Sequence, residues 1–389
     1  MKRIFRLSFF LILVLGFSGC ALLRPLQKSQ IISVFHLIET GKYNEARGAV
    51  EEMINNEESA EWAKVWYARG LLSQTAYREG IKKNDKKLSE LYPDQLYVAF
   101  DSYERAVELD KRGRLEKQLK PHYVLLVNDF QQLGEKEFKA GNYPESLKAF
   151  EHALCIRDLA EFSAGIDTSL VFNAALAAYE GGNWGKASQH LERLHKLEHS
   201  PNVTHLLYDS RLSAGDTLTA RQVLEEGIDI FEEEETLVLV LADLLVRLDL
   251  SKEAIGVLDA ALERTPDKAV FHNTKGLIYQ KDEDYQQAID AYEQAIELDP
   301  EDLMAFLNIA TCYYNIGVEI EEATLNMTNI YLVQREKEKS AEALEAALEW
   351  LDKVYEKEPE DPEVRNRLFE LYRLLRINDK VNSLENNRR

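Results

Sequence analysis

Cysteine, proline and glycine are scarce in this sequence: 389 residues hold 3 cysteines, 9 prolines and 18 glycines. Three cysteines do not make a disulfide framework. Cys155 and Cys312 fall in helical stretches far apart in the chain; they are expected to be unpaired and packed as small apolar residues. Few Gly and Pro, with abundant Leu, Ala and Glu, favour helix. Positive charge is also short, with 47 Lys and Arg against 68 Asp and Glu and a formal net charge of −21. Nucleic-acid affinity rests on Lys and Arg neutralising phosphates, so DNA and RNA are excluded as the main ligand. The same deficit disfavours general adsorption to anionic lipid headgroups. Catalytic signatures are missing too. There is no G-x-x-x-x-G-K-[ST], no G-x-G-x-x-G after a strand, no C-x-x-C and no G-x-S-x-G. Paired acids such as Glu232 and Glu235 read as solvated faces in so acidic a chain. No enzyme, cofactor or small-molecule substrate is expected.

The N-terminus has its own pattern. Lys2, Arg3 and Arg6 precede the apolar run Leu7–Phe17, and the small residues Ser18 and Gly19 lead to Cys20. This is the charge–apolar–small layout of an export signal. Leu7–Leu23 spans 17 residues, against about 20 needed to cross a hydrocarbon core. The ending "FSGC" resembles the bacterial lipoprotein box, with Phe17 where Leu is usual. The resemblance implies a signal peptide over 1–19, lipidation (palmitate among the acyl groups) at Cys20 and a short linker over 20–26. An uncleaved anchor and an ordinary signal peptide are the other readings, and all three export the chain. Without Lys2, Arg3 and Arg6 there remain 44 basic and 68 acidic residues, a net charge of −24. Ala21 resembles the residue that permits outer-membrane sorting, and "ALLRPLQKSQ" lacks the acidic cluster of a surface-export signal. The implied address is the outer membrane, facing the periplasm; inner-membrane anchoring and a free periplasmic form are the alternatives.

The rest of the chain repeats. Ala187, Ala220, Ala254 and Ala288 follow one another at steps of 33, 34 and 34. Each opens a small–large–small pattern spaced by four and three, as in Ala288–Tyr292–Ala295, Ala254–Leu258–Ala261, Ala220–Leu224–Gly227 and Ala187–Leu191–Leu194. Ala46–Val50–Met53, Ala99–Tyr103–Ala106, Ser146–Phe150–Ala153 and Ala347–Leu351–Val354 fit at less regular steps. That spacing puts all three residues on one helix face. A preceding helix ends in a turn carrying Gly41, Gly141, Gly182 or Gly215, and Pro266, Pro300 and Pro359 follow where a helix should stop.

A period of 34 with two helices resembles the tetratricopeptide repeat. Trp66 with Gly70, Phe130–Leu133–Gly134, and Gly276 with Tyr279 resemble its first-helix pattern. Glu137 replaces the expected aromatic, with Phe138 one position late, and Lys275 stands where Leu is usual. The resemblance implies an all-α, right-handed α-α superhelix of about eight helix pairs over 27–380. One pair cannot bury its apolar face alone, so pairs stack. The repeats fall near 27–60, 63–113, 127–160, 168–200, 201–234, 235–268, 269–302 and 303–361, then a partial or capping unit at 362–380 and a tail at 381–389. Two repeats are interrupted. From Tyr313 to Ala347 the chain runs 34 residues where Tyr279 to Ala288 takes nine, so 25 are inserted. Both helices of that unit are expected to lengthen around a turn at Asn326–Asn329 into a hairpin exposing Leu325, Ile330, Leu332 and Val333. The other insertion, between Ser73 and Ala99, contains "KKNDKK" and Pro93 and reads as more loop-like. The "YYN.GVE" unit and "FNAALAAYEGGNWGKASQHLERL" resemble exported tetratricopeptide proteins of the Bacteroidetes.

One string suggests chemistry. "HKLEH", His195–His199, matches the H-x-x-E-H of inverted zincin peptidases, with His190 and His205 nearby. The repeat places it in the last turn of a second helix, before Pro201, where a solvated helix end is expected and a metal scaffold is not.

These readings point to a non-enzymatic scaffold whose partner is a protein or peptide of an envelope complex. An envelope enzyme, acting on the cell wall or resembling a zinc peptidase, and a self-associating structural component are the alternatives. First helices of this family line a groove, and four–three spacing offset from the packing positions names its stripes: Phe172–Leu176–Tyr179, Leu239–Asp243–Val246, Asn273–Leu277–Gln280 and Leu307–Thr311–Tyr314. Asn173, Thr274 and Asn308 adjoin them. Apolar sites with interspersed amides suit a peptide. The Lys-and-Asn clamp that some family members use to hold a chain-terminal carboxylate is not matched there.

Overall fold

The computed structural model describes residues 30–159 and 165–381. The helices are α1 (Gln30–Glu39), α2 (Tyr43–Ile54), α3 (Ala63–Lys83), α4 (Lys86–Ser89), α5 (Gln95–Leu109), α6 (Leu115–Lys139), α7 (Tyr143–Leu159), α8 (Thr168–Glu180), α9 (Trp184–His195), α10 (Pro201–Ser213), α11 (Thr217–Ile230), α12 (Glu235–Arg247), α13 (Ser251–Arg264), α14 (Ala269–Lys281), α15 (Tyr285–Leu298), α16 (Leu303–Thr324), α17 (Ile330–Lys357) and α18 (Pro362–Leu374). There is no strand among the described residues. The fold is an all-α array of helix pairs, in two compact units that meet in sequence at Leu170 and Val171.

The pairing follows from side-chain size. A Cβ added at Gly70 or Gly276 would lie 2.5 Å from the ring of Tyr103 or Tyr292, and one at Gly134 would lie 2.7 Å from Phe150. The first helix thus offers a hole and the second fills it with a ring. The small residues Ala46, Ala99, Ala187, Ala220, Ala254, Ala288 and Ala347 are wholly buried, which brings the helix backbones together. Ser146 does the same and its hydroxyl donates to the Gly134 carbonyl at 2.8 Å. Each buried ring or Leu contributes about 1.5–3 kcal/mol of apolar transfer.

The turns share one closure. Gly41, Gly141, Gly182 and Gly215 have φ of 75°, 78°, 68° and 82°. The next amide in each turn donates to a carbonyl five residues back, as Asn183 N to Ala178 O at 2.8 Å. Asp249 and Glu283 take the glycine position in two later turns, at φ 58° and 62°. Helix starts are capped by Asn183, Asp216, Asp284, Asp302, Asn329 and Asp361, whose side chains accept first-turn N–H groups.

In the first unit, α3 runs 21 residues and ends at Asn84, φ 52°. The insertion then forms α4 and folds back, burying Leu91 and Tyr92 against the core of α1–α3. Gln95 pins it: its amide donates to Ser73 O (2.8 Å) and Leu88 O (3.1 Å) and accepts from Tyr92 N (3.2 Å).

In the second unit, α16 has 22 residues and α17 has 28, against 13 and 14 in α14 and α15. Besides Ala347–Leu351–Val354, a second register packs seven residues earlier. A Cβ at Gly317 would lie 2.7 Å from Leu344, and Ser340 donates to Gly317 O at 2.7 Å, as Ser146 does to Gly134. The lower part of the inserted segment is therefore core, and only its end projects. By length and composition α16 is long and apolar enough to cross a membrane, but Ala305, Ile309 and Cys312 pack with Ala288, Ile289 and Tyr292. Ala310 packs with Leu344, Ala347 and Leu351.

Cys312 is buried, which pushes its thiol up to about 12. Cys155 corrects the expectation from sequence: it is exposed, on the outward side of α7 rather than packed.

Candidate functional site

The first helices of the second unit are α8, α10, α12, α14, α16 and α18, and polar side chains tie them one to the next. Tyr179 donates to Asp209 at 3.3 Å, Arg247 to the Tyr208 hydroxyl at 3.1 Å, Lys281 to the Val246 carbonyl at 3.1 Å. Asn273 donates to Asp302, the cap of α16, and Arg367 of α18 donates to the Thr311 hydroxyl at 2.6 Å. Burial first, and the Asp209 carboxylate second, raise the Tyr179 pKa above its ordinary value. Burial raises that of Tyr208, against the lowering effect of Arg247.

On this face Phe172, Asn173, Leu176, Tyr179, Leu239, Asn273, Leu307, Asn308 and Tyr314 are half-buried, and Asp243 and Leu277 are exposed. Leu277 is 53% open to solvent although apolar. Several polar members are already engaged. Asp243 pairs with Arg247 at 2.8 Å, and Gln280 accepts from Tyr292 at 2.8 Å. Phe172 stacks on His199, centroids 6.4 Å apart and planes 11° from parallel. Leu307 and Tyr314 pack partly against the C-terminal core.

Tyr314 also lines a cavity of about 240 Å³, together with Ala310, Thr311 and Asn315 of α16, Leu351 of α17 and Arg367, Glu370 and Leu371 of α18. Arg367 is shared between Thr311 and Glu363, the latter at 2.7 Å. The α18 wall is not among the residues named from sequence. Its helix reads there only as a partial capping unit, and the two-helix template supplies no stripe for it. An Arg four residues after a Glu on that helix is the one available signal.

The "HKLEH" string does not form a metal site. Helix α9 stops at His195, and Glu198 has φ 51°, so His199 is off the helix and cannot share a face with His195. His195 also corrects the expected solvated end: it is 6% exposed, with Nδ1 3.0 Å from the Thr204 hydroxyl and Nε2 3.5 Å from the Glu226 carboxylate. Among the described residues no group of three or more His, Cys, Asp or Glu is placed to hold a metal. Cys20 and the segment 1–19 lie outside the described residues.

The first unit holds a buried polar cluster that sequence did not indicate. Asp129 is 6% exposed and accepts from Gln74 Nε2 at 3.2 Å, with Arg78 3.9 Å away. Tyr103 donates to Gln74 Oε1 at 2.9 Å. Burial raises the Asp129 carboxyl above the ordinary range, against Gln74 and Arg78. Burial lowers His122, whose Nε2 lies 3.1 Å from the Tyr67 hydroxyl.

Helix pairs with a glycine hole, a facing ring and small closing residues resemble tetratricopeptide packing. Residues 269–302, which form α14 and α15, match the tetratricopeptide repeat family. The chain is similar to a TPR repeat-containing protein, YpiA, of Bacillus subtilis (strain 168), with 26% identity over 245 residues. The match covers 62% of this chain and 54% of YpiA, so it spans about half the length of that curated relative. Among solved structures, a TPR repeats protein of Bacteroides fragilis NCTC 9343 is 15% identical, with 64% of this chain and 98% of that chain covered and a TM-score of 0.36. MamA from Desulfovibrio magneticus RS-1 is 18% identical, covering 49% and 98%, with a TM-score of 0.33.

Proposed function

We propose that this protein is a non-enzymatic interaction scaffold that receives a peptide segment or partner protein on the first-helix face of residues 171–389. The observation that carries this reading is the row of half-buried and exposed side chains on α8, α12, α14 and α16, ending at the cavity beside Tyr314. Leu176, Leu239, Leu277 and Leu307 offer apolar places for alternate side chains, and the Asn173 and Asn308 amides suit a peptide backbone. The double variant Asn173→Ala with Asn308→Ala is expected to keep stability within about 1 kcal/mol, as surface changes do. Capture of the partner, identified by crosslinking in the native envelope, should weaken several-fold. Unchanged capture with an intact fold would move the binding surface elsewhere.

The leader supports a second part of the proposal: the scaffold is tethered by a lipid on Cys20, at the outer membrane facing the periplasm, within an envelope complex. Basic Lys2, Arg3 and Arg6, the apolar run and Ala21 after the cysteine are its supports. Mass spectrometry of the purified chain should show acyl groups on a mature N-terminal Cys20. Fractionation with proteolysis of intact cells reads the address, and rapid shaving of intact cells would place the protein outside.

A further inference from the structure

We propose that the end of the α16–α17 hairpin dips into the headgroup region of a lipid bilayer with uncharged or zwitterionic headgroups. The inference rests on the reading that the protein works tethered at a membrane. Leu325 and Ile330 are each 81% exposed, and Tyr331 is 88% exposed. Leu332 and Met327 are also open to solvent. Tyr331 was not among the tip residues indicated by sequence, and Val333, which was, is half-buried. Isolated exposed apolar residues are ordinary, but a contiguous group at a projecting point marks an interaction site.

Three features select a bilayer over a protein groove. From Ala323 to Gln334 there is no charged residue, in a chain that is 30% charged. Burying a charge in the interface would be costly, and none has to enter. Second, Ile330, Tyr331 and Leu332 are consecutive on a helix, so their side chains point about 100° apart around its axis. A protein groove covers one stripe of a helix; a fluid apolar medium covers all sides. Third, charge returns abruptly on both helices, with Glu319, Glu321 and Glu322 on α16 and Arg335, Glu336 and Lys337 on α17. From Ile330 to Gln334 the helix rises about 6 Å at 1.5 Å per residue, which matches the roughly 5–10 Å depth of an interfacial segment. Tyr331 has the amphipathic ring favoured at that level. The three glutamates face an anionic surface unfavourably, which is why the headgroups should carry no net charge. The turn is prepared for a drier setting: Asn329 Oδ1 accepts from Tyr331 N at 3.0 Å and Leu332 N at 3.4 Å, and Met327 N donates to Thr324 O at 3.1 Å.

The test uses the full chain with an environment-sensitive fluorescent amino acid in place of Met327, added to phosphatidylcholine vesicles with and without a nitroxide on the acyl chains. The expected result is a blue shift and nitroxide quenching, the quenching falling several-fold in the Ile330→Asp, Tyr331→Asp background. Both residues are exposed, so that variant should keep its far-ultraviolet circular dichroism. A probe that stays water-like and unquenched on vesicle-bound protein overturns the proposal. So does a shift that needs envelope protein or a second copy of the chain instead of lipid. The mass of the purified chain separates the two readings. A chain without acyl groups whose tip is still quenched sinks the tether alone; a lipidated chain whose tip stays in water sinks the hairpin proposal alone.

Discussion

At Gly276 the closeness of Tyr292 leaves no room for a methyl group. Gly276→Ala should destabilise by about 1–3 kcal/mol, the usual cost of overpacking, seen as a lower urea midpoint. The opposite outcome is expected at the turns. Asp249 and Glu283 hold left-handed backbone that glycine holds elsewhere in the array. Relief of the left-handed strain exceeds the extra freedom glycine adds to the unfolded chain, so Asp249→Gly and Glu283→Gly should each stabilise by about 0.5–1 kcal/mol. Asp129 gives a pH prediction. Its folded pKa is raised by burial, so the folded state keeps a proton that the unfolded state has lost. Stability therefore falls as pH rises through the window between the unfolded and folded values. Asp129→Asn, measured by urea unfolding at about pH 4 and about pH 8, should gain on the parent as pH rises; a gap independent of pH would contradict the burial effect.

Among elements, the lengthened α16–α17 pair divides into two regions. Gly317, Ser340 and Leu344 repeat the packing of Gly134, Ser146 and Phe150, while residues 325–332 project. Replacing 325–332, all exposed, with a four-residue Asn- and Gly-containing turn should leave circular dichroism and the unfolding midpoint unchanged within error. Ser340→Val, which removes the hydroxyl's added bond to the Gly317 carbonyl, should lower stability by about 0.5–1.5 kcal/mol, the net worth of one hydrogen bond, with the bulkier side chain adding to the cost. The hairpin was legible in the sequence because helix composition continues on both sides of Asn326–Asn329. The extra register was not, because Ser340–Leu344–Ala347 shares Ala347 with the stronger Ala347–Leu351–Val354 match. His195 was misread for a similar reason. Its place at the end of α9 suggested solvent, but Thr204 of the next pair closes over it. That contact between successive helix pairs leaves no mark on the spacing within one pair.

For the whole molecule, the all-α class and the helix pairs were legible because small and large residues recur at steps near 34 and each does a defined steric job. The site was legible only as a face. Spacing indicates which side of a first helix is left over by packing, but not which polar residues on it are consumed by neighbours. Asn273, Tyr179 and Thr311 are so consumed, and the α18 wall with Arg367 carries no repeat signature. Nor does an array of pairs specify its ligand, since function resides in the side chains on the face.

The first-helix face of residues 171–389 is proposed to carry the partner. Photocrosslinking in living cells tests it most directly, with a photoreactive phenylalanine placed singly at Leu277 and Tyr314 on first helices and at Glu263 and Glu293, exposed on second helices. One discrete adduct is expected, shared by Leu277 and Tyr314 and absent at Glu263 and Glu293. Adducts confined to the second-helix positions, or none at Leu277 and Tyr314 in a folded and correctly localised chain, would contradict it.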